Sequence, residues 1–270
     1  MDKHLIALDM DGTILNSDSK LTDFTKETLK KVQDLGHLVV ISTGRPYHAS
    51  VDYYHSIGLT GPIITDNGGN IREPLNPEFQ TVIDGIPVKI HHEIFEFSKP
   101  FIESAFYSYG DFVYSFKHLE RLHNIFLDSQ KATIIHADFS EYDHSPTGMI
   151  YLIDIAFKDQ FEKYLTVDMN EYVNFRLWGA DSKHAIYEIY KRGSSKLSGI
   201  HWVARHYGVK EENIMAFGDG LNDIEMLSGI KMGYAMSNAN EEVKEKASKL
   251  LPYSNDEDGV AKFLIEYFKL

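Results

Sequence analysis

The sequence predicts an α/β fold: a core domain built on a parallel β-sheet, interrupted by an inserted α+β domain. At both ends of the chain, short and continuously apolar segments alternate with segments of helical periodicity. This pattern is typical of a parallel sheet covered by helices on both faces. The middle of the chain differs, because it is rich in aromatic residues and alternates polar with apolar positions, as antiparallel strands do.

The first 70 residues predict three strands joined by two helices. The strands are "HLIALDM", "HLVVIST" and "PIITDNGG". The first helix is predicted in "LTDFTKETLKKVQDLG", where Leu21, Phe24, Leu29 and Val32 recur with helical spacing and Gly36 ends the helix. "YHASVDYYHSIG" is predicted as the second helix.

The same alternation returns after the middle segment. "KLSGIHWVARHYG" predicts a helix, "NIMAFGDG" a strand and "LNDIEMLSG" a further helix. In the middle, "FVYSF", "MIYLIDIAF" and "HAIYEIY" predict strands, while "VKIHHEIFEF" and "DQFEKYLTVDM" predict helices. We therefore expect a core domain formed by residues 1–82 and 191–270, with residues 83–190 inserted as a second domain.

Composition excludes several classes of protein. The net charge of −13 over 270 residues argues against general binding to nucleic acid, whose protein partners are basic. The absence of cysteine excludes disulfides, thiolate catalysis and cysteine-bound metals. Neither a signal peptide nor an apolar run long enough to cross a membrane is found, so a cytoplasmic protein without a membrane partner is expected.

Polar side chains follow four of the predicted parallel strands. Ligands bind at the carboxyl ends of such strands, so these side chains are expected to form one site. Residues two apart on a strand point to the same side, so Asp9 and Asp11 are predicted to converge. The full set is Asp9, Asp11, Ser42, Thr43, Gly44, Asp66, Asn67, Asp219, Asn222 and Asp223.

The four carboxylates at the ends of the first and last of these strands require a cation between them. Carboxylate oxygens are hard ligands, so the set predicts a Mg²⁺ site. Taken alone, each part has a simpler interpretation: the paired aspartates as a turn, Ser42 and Thr43 as a helix cap, and Lys196 as a solvated lysine. Their arrangement at consecutive strand ends favours a common site.

The residues also have the chemistry of phosphoryl transfer. One carboxylate can attack phosphorus, and a second can protonate the leaving oxygen and later deprotonate water. The segments "DMDGTILNS", "STGR", "SSKLSGI" and "GDGLNDIEML" resemble, in order and spacing, the four motifs of the haloacid dehalogenase superfamily of phosphohydrolases. The long insertion resembles the Cof-type branch, the subclass IIB sugar phosphatases, whose Rossmann-like core carries a cap domain between the second and third motifs.

The resemblance implies a role for each matching residue. It makes Asp9 the nucleophile and Asp11 the general acid and base. It implies Mg²⁺ bound by Asp9, the backbone carbonyl of Met10 and Asp219, with Asp223 binding directly or through water and Asp11 close to the metal without binding it.

The resemblance also implies phosphate contacts from Thr43, the Gly44 N–H, Lys196 and Asn222. One departure is that the family usually has glycine after this lysine, whereas Leu197, Ser198 and Gly199 follow here. A different helix start is expected. The inserted domain would determine substrate specificity, with Trp178, His184 and Tyr187 as candidate pocket residues. The alternative for these aromatic residues is that they pack the small domain.

The resulting hypothesis is a Mg²⁺-dependent phosphomonoester hydrolase that acts through an aspartyl-phosphate on small phosphorylated metabolites, with sugar phosphates expected. A phosphomutase of the same superfamily is one alternative. A non-enzymatic phospho-aspartate signalling module is another, although it would lack the second acid and the inserted cap. The expected partner is a small-molecule phosphate ester. The natural substrate and the oligomeric state are left open, with a monomer preferred.

Overall fold

The computed structural model describes residues 2–110, 112–117 and 133–270. They fall into two compact units, which we call unit 1 (Met1–Val82 with Ser195–Leu270) and unit 2 (Ile83–Ser194). The assignment of catalysis to one domain and of substrate specificity to the other stays a prediction.

The secondary structure alternates through unit 1 and becomes strand-rich in unit 2. The strands are β1 Leu5–Leu8, β2 Leu38–Ile41, β3 Ile63–Thr65, β4 Asn70–Arg72, β5 Val82–Ile83, β6 Ile102–Tyr109, β7 Phe112–Phe116, β8 Thr133–His136, β9 Gly148–Asp154, β10 Val173–Ala180, β11 His184–Lys191, β12 Ile214–Gly218, β13 Met232–Ala235 and β14 Lys249–Leu250. Among the described residues, the α-helices are α1 Asp23–Asp34, α2 Val51–Ile57, α3 Val88–Ser98, α4 Lys158–Val167, α5 Lys196–His206, α6 Ile224–Gly229, α7 Glu241–Lys246 and α8 Gly259–Phe268.

Unit 1 contains a five-stranded parallel sheet of order β14-β13-β12-β1-β2, which a single bridge between Ser42 and Ile64 extends towards β3. Strand β1 is fully buried and alternates between two apolar clusters, one on each face of the sheet. Ile6 and Leu8 pack in the cluster that includes residues of α1 and α8, whereas Leu5 and Ala7 pack in the cluster that includes residues of α5, α6 and α7. The predicted parallel sheet covered on both faces is confirmed.

Helix α1 matches its predicted position, but not all of its regularly spaced apolar residues are buried. Leu29 and Val32 are buried, whereas Phe24 is 44% exposed. Thr25 and Thr28 are buried instead. The hydroxyl groups of these threonines have partners, since Thr25 donates to Asp258 Oδ1 at 2.9 Å and Thr28 to the Phe24 carbonyl at 2.8 Å. A threonine whose hydroxyl is hydrogen-bonded can replace an apolar side chain at such a contact.

Unit 2 is built on a six-stranded sheet of order β10-β11-β9-β6-β7-β8. Its neighbouring strands are antiparallel except for β7 and β8, which are parallel. Helices α3 and α4 contribute Phe95 and Phe161 to an aromatic cluster that also holds Tyr107, Tyr151 and Tyr187. The predicted inserted α+β fold is confirmed. Within the described ranges, no helix has the length and apolarity needed to cross a membrane.

Candidate active site

The ends of three neighbouring strands in unit 1 lie level with one another. Leu8 at the end of β1 is opposite Ile41 of β2 and Phe217 of β12. The pairing continues past the strands, because the Asp9 N–H donates to the Phe217 carbonyl at 3.0 Å and the Ser42 N–H to the Leu8 carbonyl at 2.7 Å. The residues that follow these strands therefore meet at one edge of the sheet.

Three of the predicted acidic residues form a cluster at this edge. Asp9, Asp219 and Asp223 each place a carboxylate oxygen within 4.8 Å of the others. Burial raises the pKa of Asp9 to about 8, and the charge of Asp223 adds to this effect while Lys196 opposes it. Burial also raises the pKa of Asp219 to about 6, against the hydrogen bond from Thr13. The cluster has more negative charge than its surroundings balance, so its oxygen donors fit a divalent cation.

Lys196 supplies the positive charge within the cluster. Its buried Nζ donates to Asp9 Oδ1 at 2.5 Å and to Asp223 Oδ1 at 2.6 Å. Burial lowers the pKa of Lys196, but the charges of Asp223 and Asp9 outweigh burial and raise it above the ordinary value. Two nearby carboxylates thus overcome the unfavourable position of a cation at the start of helix α5.

Two serines cap the start of helix α5. Ser195 and Ser198 cap it reciprocally: the Ser198 N–H donates to Ser195 Oγ at 3.3 Å, and the Ser195 N–H donates to Ser198 Oγ at 3.0 Å. Gly199 follows one turn into the helix, where a Cβ would lie 2.9 Å from Ile64 Cγ2. The glycine therefore serves close packing against β3.

Two glycines make room for the carboxylates. Gly12 has a φ of +70°, and a Cβ on it would lie 2.2 Å from Asp219 Oδ2. A Cβ on Gly218 would lie 2.5 Å from Asp223 Cγ. Asp223 Oδ2 accepts from the N–H groups of Asp219 at 3.0 Å and Gly220 at 2.8 Å, so both oxygens of Asp223 already have partners.

The turn after β1 uses the carbonyl that was predicted to bind metal. The Met10 carbonyl accepts N–H groups from Thr13, Ile14 and Leu15 at 2.9–3.2 Å. Because these bonds close the turn, the structure argues against a metal contact from the Met10 carbonyl. Thr13 contributes its side chain instead, donating from Oγ1 to Asp219 Oδ1 at 2.8 Å.

Asp11 lies outside the acidic cluster of Asp9, Asp219 and Asp223. Strand β1 ends at Leu8 and Gly12 turns the chain, so the strand geometry that would align Asp11 with Asp9 does not extend to it. Both Asp11 oxygens accept from Arg45, Oδ2 from Nε at 2.7 Å and Oδ1 from Nη2 at 2.6 Å. Such a two-bonded pair fixes the orientation of the carboxylate. Arg45 is part of the motif "STGR", but sequence reasoning gave it no role.

The predicted phosphate-binding residues after β2 lie beside those of the last motif. Thr43 is buried, and its Oγ1 accepts from the Arg45 N–H at 3.1 Å. A Cβ on Gly44 would lie 3.0 Å from Asn67 Oδ1 and 3.2 Å from Asn222 Nδ2, and Asn222 Nδ2 donates to Asn67 Oδ1 at 2.9 Å. The structure thus brings Thr43, Gly44 and Asn222 together with Asn67.

The turn after β3 holds Asn67 in an unusual backbone conformation. Asp66 and Asn67 have φ values of +53° and +54°, and Gly68 follows with +99°. Consecutive left-handed residues are strained, and such strain is concentrated at functional sites. The turn is held by the Asn67 N–H, which donates to the Thr43 carbonyl at 3.0 Å, and by Gly68, where a Cβ would lie 2.0 Å from the Ser195 carbonyl oxygen.

Two asparagines that sequence reasoning missed support the turn after β1. Asn238 Nδ2 donates to the Gly12 carbonyl at 2.8 Å, and Asn255 Nδ2 donates to the Leu15 carbonyl at 2.9 Å. The Asn255 N–H donates in turn to Asn238 Oδ1 at 3.0 Å. These asparagines lie in the segments "NANEEV" and "NDEDG". Neither segment contains a pattern that predicts a contact with the turn after β1.

The candidate pocket residues of unit 2 differ in exposure. Tyr187 is fully buried and donates to Glu162 Oε1 at 2.7 Å, so its prediction as a pocket residue was wrong and the packing alternative is correct. His184 is partly buried, and its Nδ1 lies 3.8 Å from Asp181 Oδ1. Trp178 is 49% exposed.

Comparisons with known proteins identify the family of this chain. The model of the haloacid dehalogenase-like hydrolase family matches residues 6–264. The chain is 34% identical to the 5-amino-6-(5-phospho-D-ribitylamino)uracil phosphatase YitU of Bacillus subtilis, over 99% of this chain and 98% of that protein. It is 29% identical to YcsE of the same organism, a phosphatase of the same name, over 97% and 94%.

Solved structures give the same result at the level of the fold. The subclass IIB sugar phosphatase BT4131 superposes with a TM-score of 0.76 at 25% identity, covering 99% of each chain. The match extends over both units of the present chain.

Proposed function

Because the chain belongs to the haloacid dehalogenase-like hydrolase family and is one of its phosphatases, we propose that it hydrolyses small phosphate monoesters through a phospho-aspartate at Asp9. The observation that carries this proposal is the buried contact between Asp9 and Lys196 beside Asp219 and Asp223. It provides a nucleophile, a fixed positive charge and a set of metal donors at one strand edge.

In the first step, a carboxylate oxygen of Asp9 attacks phosphorus and the bond from phosphorus to the ester oxygen breaks. Asp11, in its protonated form, donates its proton to the leaving oxygen. In the second step, Asp11 takes a proton from water, whose oxygen attacks the phosphorus of the phospho-aspartate and releases phosphate and Asp9. Arg45 is the residue that orients Asp11.

The phosphoryl oxygens are proposed to bind to Thr43, the Gly44 N–H, Lys196 and Asn222. Lys196 supports this role because an ammonium group has three N–H donors, and two of them are used by Asp9 and Asp223. The third remains for a phosphoryl oxygen. Asn222 would exchange its bond to Asn67 for the ligand.

The metal is proposed to be Mg²⁺, held by Asp9 and Asp219. Asp223 has both oxygens occupied, which favours contact through water, and Asp11 lies close enough for its charge to act on Asp219. When bound, Mg²⁺ offsets the repulsion between the attacking carboxylate and the phosphoryl oxygens. The Met10 carbonyl is left out of this set, since three N–H groups occupy it.

The substrate is proposed to be a phosphorylated sugar or sugar alcohol, and unit 2 is proposed to carry the determinants of specificity. Two relatives are named for a ribityl phosphate linked to a pyrimidine ring. The structural neighbour BT4131 is named as a sugar phosphatase. Ribityl phosphates that bear such a ring are therefore the first esters to test.

The test is phosphate release from a panel of sugar phosphates, nucleotides, the ribitylaminouracil phosphate and a chromogenic aryl phosphate. Release is expected with Mg²⁺, not in its absence, and not from the Asp9→Asn variant. No release from any ester, or equal release from Asp9→Asn, would contradict the proposal.

A second measurement tests the intermediate. In Asp11→Asn, label from a ³²P-labelled ester is expected to remain on the protein, because the water-activating base is missing. A phosphate moved to another position of the product would instead indicate a mutase. Stable labelling of the unaltered protein with little turnover would indicate a signalling module.

A further inference from the structure

We propose that the exposed end of the β10–β11 hairpin in unit 2 binds the planar heteroaromatic ring of a ligand. We call the surface the Trp178 platform and define it as Arg176, Trp178, Glu188 and Tyr190. For the identity of the ring this inference rests on the proposed function, whereas ring binding can be measured without any catalysis.

Trp178 is placed by a β-bulge. Leu177 pairs with Tyr187 and Gly179 pairs with Ile186, so Trp178 is an additional residue with no residue opposite it in the register of β11. Bulges at sheet edges redirect side chains, often at functional sites. The bulge leaves the large indole ring 49% exposed on an edge strand.

The indole and the neighbouring guanidinium are held in place by one carboxylate. Glu188 Oε2 accepts from Trp178 Nε1 at 3.1 Å and from Arg176 Nη1 at 3.3 Å. The Glu188 side chain is only 14% exposed, and Arg176 Cζ lies 4.6 Å from the centroid of the Tyr190 ring. An exposed aromatic ring with a fixed orientation binds a partner without the entropy cost of ordering a flexible side chain.

The chemistry of the Trp178 platform selects the ligand. The exposed face of Trp178 can stack on a planar ring, and the partly exposed Arg176 offers N–H donors to carbonyl oxygens on that ring. Glu188 balances the charge of Arg176, so the platform carries no net charge that would favour an anion. A neutral pyrimidinedione, flat and bearing carbonyl acceptors, meets these requirements, whereas an open-chain sugar alcohol does not.

The binding test uses Trp178 as its own reporter. The chain has two tryptophans, and Trp202→Phe leaves Trp178 as the single one. Saturable quenching is expected on titration with 5,6-diaminouracil, which has the ring but no phosphate, and none with ribitol. Absence of saturable quenching would overturn the proposal.

Calorimetry with paired variants separates a specific platform from a generally adhesive surface. Trp178→Ala is expected to weaken binding of 5,6-diaminouracil about tenfold or more. Tyr172→Ala removes an aromatic side chain of similar exposure (42%) in the same unit and is expected to leave binding unchanged. Equal effects of the two substitutions, or no effect of Trp178→Ala, would overturn the proposal.

Kinetics distinguish this inference from the proposed function. For the ribitylaminouracil phosphate, Trp178→Ala is expected to raise KM about tenfold with little change in kcat, while KM for ribitol 5-phosphate stays unchanged. An equal rise of KM for both esters would overturn the ring assignment even if hydrolysis is intact. Ring binding that persists in a protein that releases no phosphate would support the platform and reject the proposed function alone.

Discussion

The two units bury different kinds of polar group. Within the described part of the chain, the buried aspartates and lysines are Asp9, Lys196 and Asp223, which form ion pairs with one another and all belong to unit 1. Unit 2 buries neutral groups instead, including Tyr107, Tyr151, Tyr187 and His91. Burying charge is costly even when it is paired. The comparison indicates that unit 1 carries this cost where its charges can perform chemistry.

Two of the buried polar side chains of unit 2 have partners that carry no formal charge. Tyr107 Oη and His144 Nδ1 are hydrogen-bonded at 3.0 Å, and His91 Nδ1 lies 3.2 Å from the His144 carbonyl oxygen. Burial lowers the pKa of His91 to about 4, so this ring is neutral at neutral pH. The charged site of unit 1 and the neutral core of unit 2 should therefore respond differently to the loss of one group.

The largest effect is expected from Asp9→Asn. Turnover should fall by more than about 10³-fold, because the amide cannot act as the nucleophile. The thermal stability of the metal-free protein should not fall, since a pKa of about 8 leaves Asp9 largely protonated at pH 7 and Lys196 keeps Asp223 as its counter-ion. Phosphate release and thermal unfolding check the two parts. Asp34→Asn on the exposed end of α1 is the control and should keep full activity. Retained turnover, or unfolding of Asp9→Asn, would contradict the comparison.

Lys196→Met should destabilise unit 1 by about 3–5 kcal/mol in the absence of metal, because two buried carboxylates lose their common cation. Lys246→Met removes an exposed ion pair with Glu242 and should cost less than about 1 kcal/mol. Chemical denaturation of both variants measures the difference. Equal losses would show that the buried site has no special dependence on its lysine.

Thr43→Ala should lower the rate by about 10²–10³-fold if Thr43 contributes one hydrogen bond to the transferring phosphoryl group. Its neighbour provides the matched control. Ser42 Oγ is buried and has no hydrogen-bond partner among the described residues, so Ser42→Ala should change kcat less than tenfold. Steady-state kinetics of the pair decide the assignment, and a larger effect at Ser42 would reverse it.

The smallest effect is expected from the protonation of His91, which tests the neutral core of unit 2. The His91 pKa of about 4 lies below the unfolded value, so its contribution is present at high pH and is lost as pH falls from about 6.5 towards 4. By pH 5 the loss should be about 2 kcal/mol.

Hydrogen exchange of amides in α3 reports this local stability. His91→Asn keeps a donor for the His144 carbonyl and should reduce the dependence on pH, whereas His92→Asn, at a partly buried neighbour, should leave it in place. A pH dependence that is unchanged in His91→Asn would exclude His91 as its source.

The parallel sheet and its strand ends could be predicted because the polar residues of the candidate site directly follow the apolar strand segments. Asp9 follows β1 directly and Asp219 follows β12, so finding the strand locates the residue. Strands β8 and β10 were missed for the opposite reason. They lie at the two edges of the unit 2 sheet and are largely exposed. Strand β8 is too short to show an alternation, and in β10 the alternation of residues 173–177 is interrupted by the bulge at Trp178.

Polar pairs between residues far apart in the chain could not be predicted from the sequence either. The pairing of Asp11 with Arg45 depends on where the turn at Gly12 directs the chain, and no local pattern contains that information. The same holds for Asn238, which contacts the Gly12 carbonyl from far along the chain. Residue types can indicate that a site exists, but only the fold decides which donor meets which acceptor.

The strand order of unit 1 has a consequence for the protein as it leaves the ribosome. Strand β1 lies between β2, which follows it closely in the chain, and β12, which is translated only after the whole of unit 2. Until then, the nascent chain carries Asp9 and Asp11 at an unpaired strand edge, without Lys196 or Asp219. Unit 2 is continuous in sequence and can complete its fold first. The charges of the candidate active site are therefore assembled last, when the carboxyl-terminal half of the sheet docks onto β1.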